Sequence, residues 1–221
     1  MVLLVHHTLS PQSRKARIML AEKKVLFVLR QEEPWNMSKD LLKLNPAGDL
    51  PIFIFDGNII SGNYAVTEYL EENYPTPKLM NGTPLHRAEI RRLCDWFDHK
   101  FYEQVYNYIV GEKVFKRFKS GAAPDSKILK AGMNNLKFHM EYIDWLTERN
   151  NYLTGSEISL ADITAAAHLS ILDYLGDVDW EHYKNAKLWY STIKSRPSFQ
   201  QILKDTVKGI MPSKNYQNLD F

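Results

Sequence analysis

Two short stretches hold residues that could grip a small anion. In IISGNYAVTEYL (59–70), Gly62 and Asn63 stand where a turn feeds a helix, so the first backbone N–H groups point outward. Such a helix start favours a carboxylate, through its donors and the positive end of its dipole. Asn63 adds an amide donor, and it can equally cap the helix unaided. In HHTLSPQSRKAR (6–17), Ser10-Pro11 places a hydroxyl at the mouth of another helix, with Ser as N-cap and Pro at the first helical position. Arg14 and Arg17 follow on that helix, where they can serve an anionic ligand or simply coat the surface.

Other chemistry is poorly supported. His6 and His7 are neighbours on an expected strand, so they face opposite ways, and no converging residues are spaced for a metal. His168 lies in an apolar helix, the setting of a core histidine. Cys94 is the single cysteine, which excludes an internal disulfide and fits a packed thiol in a reducing compartment. GEKVFKRFKSG (111–121) gathers Lys113, Lys116, Arg117 and Lys119 beside Phe115 and Phe118. That is either a basic surface with aromatic anchors for an acidic partner or a solvated helix end whose cations complement the C-terminal dipole. The tail IMPSKNYQNLDF (210–221) is too short and polar for a core, yet it closes on Leu219, Asp220 and Phe221. Either it folds back or it docks on a partner.

These residues need a frame. The chain has 221 residues, 44% hydrophobic and 24% charged, which is ordinary globular composition with room for two small domains. A net charge of +2 gives no signal for nucleic acid or membrane. No run approaches the roughly 18 apolar residues of a membrane span. MVLLVHHTLSPQSRK reads as a first strand rather than a signal peptide, so the cytoplasm is expected. Strands are expected at 2–7, 27–31, 51–55 and 58–61, the last two joined by an Asp56-Gly57 hairpin. Helices are expected from Ser10 to Lys23, at 39–44 and at 64–73. The Pro-rich stretch 75–84 then reads as a linker. Beyond it, Ile90, Leu93, Phe97, Phe101, Val105 and Tyr108 mark a helix over 85–118, broken near Gly111. Leu129 to Leu146, 159–175, 185–195 and 197–208 mark four more. The expected organisation is an α/β domain at 1–75, a linker at 76–84, an all-helical domain at 85–209 and a tail at 210–221.

NPAGDLP (45–51), the hairpin and the helix carrying Tyr69-Leu70 resemble the thioredoxin-like half of cytosolic glutathione transferases. TGSEISLADITAAAHL (154–169) resembles the signature of their helical half; within it, Ser159 can cap and Asp162 can return a bond to the Ser159 N–H. The resemblance implies a thioredoxin-like α/β N-terminal domain plus an all-α C-terminal domain. It implies a cis Leu50-Pro51 bond whose backbone meets the cysteinyl part of glutathione. It also implies that Ser10 stabilises the glutathione thiolate and that Gly62 and Asn63 hold the γ-glutamyl end. The family's Glu/Gln–Ser pair is replaced here by Gly62-Asn63. Losing that charge-assisted contact costs roughly 1.5–3 kcal/mol, about tenfold or more in affinity.

Further motifs narrow the resemblance: HH-x-L-S-P-x-S-R (6–14), EPW (33–35), RAEIRRLCDWFDHKF (87–101), EKVFKRF (112–118), HLSILDYLGDVDW (168–180), KSRPSF (194–199) and YQNLDF (216–221). Together they resemble the FtsZ-binding, transferase-like cell-division proteins of the FzlA type. Those proteins bind and curve or bundle filaments of the tubulin homologue FtsZ, and are regarded as working without glutathione. The resemblance implies an FtsZ partner met by Lys113, Phe115, Lys116, Arg117 and Lys119 and by Tyr216, Leu219, Asp220 and Phe221. It implies a homodimer and no cofactor. The other reading stays open: a glutathione S-transferase that conjugates glutathione, as substrate, to a small electrophile at Ser10.

Overall fold

A computed structural model describes residues 1–219 of the chain. Met1–Leu79 and Arg196–Met211 form one compact unit; Met80–Ser195 and the chain from Pro212 form a second. The expected boundaries differ on two counts. The Pro-rich stretch is not slack up to Leu79, because Lys23 Nζ donates to Tyr74 O and Pro77 O at 2.6 and 3.1 Å and pairs with Glu71. Residues 196–211 join the first unit, drawn there by buried charge pairs described below.

The first unit is built on a four-stranded sheet in the order β2-β1-β3-β4. Its strands are β1 (Val2–His6), β2 (Phe27–Gln31), β3 (Ile52–Phe55) and β4 (Asn58–Ser61). β1 and β2 are parallel, joined across α1 (Pro11–Glu22), and β3 runs antiparallel to both β1 and β4. Successive side chains on a strand face opposite ways. Val5 and Ile52 therefore share one face, where they pack with Leu41 of α2 (Lys39–Leu44) and with Leu50. Phe53 shows the other face, where its ring meets Tyr69 of α3 (Asn63–Asn73) at 5.6 Å. The turn between α2 and β3 is held by Asn45, whose amide donates to Asp49 O at 2.9 Å and whose Oδ1 accepts from Ala47 N at 3.2 Å.

The second unit opens at Thr83, whose hydroxyl caps α4 (Pro84–Asp95). The helical path runs on without the break expected near Gly111. It winds as π-helix over Trp96–Tyr106, α5 (Asn107–Val110), π-helix again over Gly111–Phe115, then α6 (Lys116–Ser120). The apolar stripe expected on it is buried at Ile90, Leu93, Phe97, Phe101 and Val105. α8 (Leu160–Leu175), buried from Leu160 to Tyr174, packs against α4, the first π-helix and α9 (Lys184–Lys194), and α7 (Ser126–Glu148) packs against α9, α5 and the same π-helix. Ser159 and Asp162 form the expected capping box. Asp162 also accepts from Leu153 N and Trp189 Nε1 at 2.8 and 2.9 Å, so one carboxylate ties the helix start to two neighbouring segments. The helix expected over 197–208 shrinks to α10 (Gln200–Leu203).

Candidate functional site

Strand register brings the first group of candidates together. Val5 pairs with Ile52, and Ile52 pairs with Ser61. The exit of β1, the entry of β3 and the exit of β4 therefore lie at one end of the sheet. The loop to Ser10, the Leu50-Pro51 bond and the Gly62-Asn63 turn all leave from that end. The Leu50-Pro51 bond is cis. Leu50 buries its side chain among Val5, Leu41 and Ile52, which pins its backbone at the sheet end.

Ser10 is the N-cap of α1; its Oγ accepts from Ser13 N at 3.1 Å and donates to Gln12 Oε1 at 3.4 Å. A ligand that takes this proton must displace that long bond to Gln12. Ser13 is buried and its Oγ accepts from His7 N at 3.3 Å, so Ser10 is the accessible hydroxyl of the two. His7 Nδ1 accepts from Leu9 N at 3.2 Å, which fixes the loop. Burial, reinforced by Arg17, His7 and Arg14, lowers His6 to about 3, and burial with Arg14 lowers His7 to about 4. Both rings are neutral at pH 7 and supply no positive charge.

Arg14 and Arg17 do not face a cleft. Both are buried, and Arg17 grips Asp205 with two bonds of 2.8 and 2.9 Å. Arg14 Nε donates to Thr8 O at 2.8 Å, and its Nη2 lies 3.6 Å from Asp205. They are interior charges that share a carboxylate far along the chain, 188 positions from Arg17. Nothing local in the sequence signals that partnership.

At α3 the N-cap is Gly62, with φ +91°, a backbone geometry that favours glycine. Asn63 is the first helical residue and does not cap: no side chain caps this start. The first turn of α3 carries no acidic residue. The helix start thus offers backbone donors to an anion but no carboxylate to an ammonium group.

Residues 9–73 match the sequence profile of the glutathione S-transferase N-terminal domain, and 121–197 that of the glutathione S-transferase C-terminal domain. The chain belongs to the glutathione S-transferase family. Within that family it is 40% identical over 222 residues to "FtsZ-localized protein A" of Caulobacter vibrioides (strain NA1000 / CB15N), covering 99% of this chain and 97% of that one. The crystal structure of a glutathione S-transferase from Rhodospirillum rubrum F11 superposes with a TM-score of 0.97 at 47% identity, over 100% of both chains. The structure of FzlA from C. crescentus also superposes with a TM-score of 0.97, at 40% identity, over 100% of this chain and 99% of that one. Glutathione S-transferase 2 of Saccharomyces cerevisiae is 26% identical, over 87% of this chain and 85% of that one.

On this transferase fold the expected contact residues fare unevenly. Lys113 is paired with Asp177, and Lys116 with Glu112 at 2.8 Å. Arg117 and Lys119 are exposed; Phe115 is half-buried. Tyr216 is fully buried, its ring 5.0 Å from Tyr174 in an edge-on packing, so it is not a contact residue but an anchor. Leu219 is half-buried, and the roles expected of Asp220 and Phe221 lie outside the described residues. One surface was missed. Trp96, Phe138, Tyr142 and Trp145 form a row of ring contacts, with Lys100 Nζ 4.3 Å above Trp96 and Arg149 5.7 Å above Trp145. Phe138 and Trp145 are 53% and 51% exposed. The signal was available: Phe138, Tyr142 and Trp145 follow a second stripe of helical spacing on α7. Among the described residues no three His, Cys, Asp or Glu side chains gather as a metal site, and no helix is long and apolar enough to cross a membrane.

Proposed function

We propose that this chain acts chiefly by binding FtsZ filaments in cell division, as a cytoplasmic homodimer and without a cofactor. The observation that carries this is 40% identity to FtsZ-localized protein A along 99% of the chain. The bare start of α3 supports it, because glutathione's ammonium would find no acidic partner in the first turn. In this reading the cations offered to the filament are Arg117 and Lys119, which are exposed. Leu219, Asp220 and Phe221 supply the apolar end. Co-sedimentation with polymerised FtsZ tests the reading. The wild-type protein should pellet with filaments, and Arg117→Glu/Lys119→Glu should stay largely in solution. Wild-type protein that never pellets would refute it. Sedimentation equilibrium tests the dimer.

A specific observation keeps the enzyme reading alive. A half-exposed serine hydroxyl, the cis Leu50-Pro51 bond and an uncapped helix start all lie at one end of the sheet. Those are the parts that would hold a thiolate, a peptide backbone and a carboxylate. Glutathione titration by calorimetry decides between the readings. We expect no heat of specific binding below millimolar concentration. A micromolar dissociation constant, with conjugating activity lost in Ser10→Ala, would establish the transferase instead.

A further inference from the structure

The tail does not lie loosely on the helical unit. Ser213 N donates to Tyr174 O at 2.8 Å, and Ser213 Oγ donates to Asp173 O at 2.7 Å. Two turns follow, closed by Tyr216 N to Ser213 O and Asn218 N to Asn215 O, each at 3.1 Å. Tyr216 is buried between them.

Beneath the tail sits a buried charge pair. Lys194 Nζ donates to Asp173 Oδ2 at 3.1 Å, with both side chains 3% exposed or less. Asp173 also accepts from Trp180 Nε1 at 3.0 Å and from the Tyr190 hydroxyl at 3.3 Å. Lys194 spends a second proton on the tail, donating to Asn215 O at 3.1 Å. Its ammonium lies 5.7 Å from the Tyr190 ring and 5.9 Å from the Tyr216 ring. One cation therefore joins α8, α9 and the tail.

Stability alone does not explain such a pair. Burial pushes the Asp173 carboxyl up and the Lys194 ammonium down, each towards its neutral form. Apolar residues of similar volume are often as good or better for stability. What a buried ion pair does supply is geometry, because its hydrogen bonds are satisfied in one arrangement.

We propose that the Asp173–Lys194 pair and Ser213 form a lock that fixes the C-terminal tail on the helical unit, and that this fixed tail is what an FtsZ filament recognises. The second half rests on the functional reading above. Lys194, Asp173 and Ser213 are positioning residues, since none needs to touch the partner. A tail already ordered pays less entropy on binding, so loosening it weakens the complex without removing any contact.

The test uses the full chain and two variants. Asp173→Asn/Lys194→Met removes both charges while leaving an acceptor for Trp180 and Tyr190; Ser213→Ala removes one hydroxyl. Amide hydrogen exchange at Ser213 and Tyr216, thermal melting and FtsZ co-sedimentation are measured on each. Exchange should rise about tenfold, as expected for losing one hydrogen bond to a charged or buried group. Filament affinity should fall several-fold while the melting temperature stays close to wild type. Tail exchange unchanged in both variants would overturn the lock. A loosened tail that binds filaments at wild-type affinity would overturn its role in recognition. If the wild-type protein itself ignores filaments while the variants loosen the tail, the lock stands and its FtsZ role falls with the functional reading.

Discussion

Arg14, Arg17 and Asp205 show what a single side chain can decide. Two guanidinium groups lie inside the first unit, and both reach the same carboxylate. Removing one partner of a buried pair strands the other charge, at about 3–5 kcal/mol. Asp205→Ala should lower the urea unfolding free energy by that amount. The buried histidines add a pH dependence. Their ordinary value is 6.5, and the fold holds His6 at about 3 and His7 at about 4. Below pH 6.5 the unfolded chain takes up protons that the folded chain refuses. Their contribution is therefore full above pH 6.5 and is lost as pH falls towards 4 and 3, at up to about 1.4 kcal/mol per pH unit for each ring. Asp162 and Asp173 pull the other way, because burial raises both carboxyls and acid then favours the folded state. Comparing wild type with His6→Phe isolates one ring: the slope of unfolding free energy between pH 6 and 4 should flatten by about 1.4 kcal/mol per unit in the variant. Equal slopes would refute the assignment. The Ser10 cap and the Ser159–Asp162 box were legible because each acts within a few residues of itself, whereas the cis Leu50-Pro51 bond was implied by the family resemblance. Asn63 was misread because Gly62, with its positive φ, takes the cap position and pushes Asn63 into the helix. Asp205 was invisible because its partners lie far upstream, Arg17 by 188 residues.

The elements themselves were largely legible from their periodicity. α2, β2 and β4 match their expected spans, and α8 shows the all-round burial its alanines implied. Winding was not legible. Trp96–Tyr106 and Gly111–Phe115 are π-helical, yet their apolar residues keep spacings of three and four that an α-helix would also show. The helix expected over 197–208 failed because the chain turns after Leu203, with Asp205 N bonding Ile202 O, to deliver Asp205 to its arginines. Helix contact depends on small residues at single points. A Cβ on Gly132 of α7 would sit 2.7 Å from Tyr108 Cβ and 2.9 Å from Ile109 Cγ1. Gly132→Ala gains helix propensity but overpacks that contact, so a net loss of about 1–3 kcal/mol is expected by chemical denaturation. Tyr216→Ala should cost roughly 2–5 kcal/mol by emptying a filled site in the second unit.

At the scale of the whole chain, a division was expected near residue 75, and the chain forms two compact units, the first of them discontinuous. Composition marks a Pro-rich stretch, but it cannot show that a later segment returns. Residues 196–211 belong to the first unit, through Asp205 and through Arg196, which grips Glu22 with bonds of 2.6 and 2.9 Å. A fragment of residues 1–79 therefore lacks part of its own structure. It should show no cooperative thermal transition, and a synthetic peptide of 196–211 added in trans should restore one. A fragment that melts cooperatively alone would show that the return is dispensable.

That discontinuity also sets a timetable. Synthesis runs from the amino end, at about 5–20 residues per second, so the strands of the first unit emerge early and wait for most of translation. Until Asp205 leaves the ribosome, Arg14 and Arg17 lack the carboxylate that both of them reach in the finished fold. The unit that is made first therefore stays open until residues 196–211 arrive, almost as long as the second unit waits for its own tail.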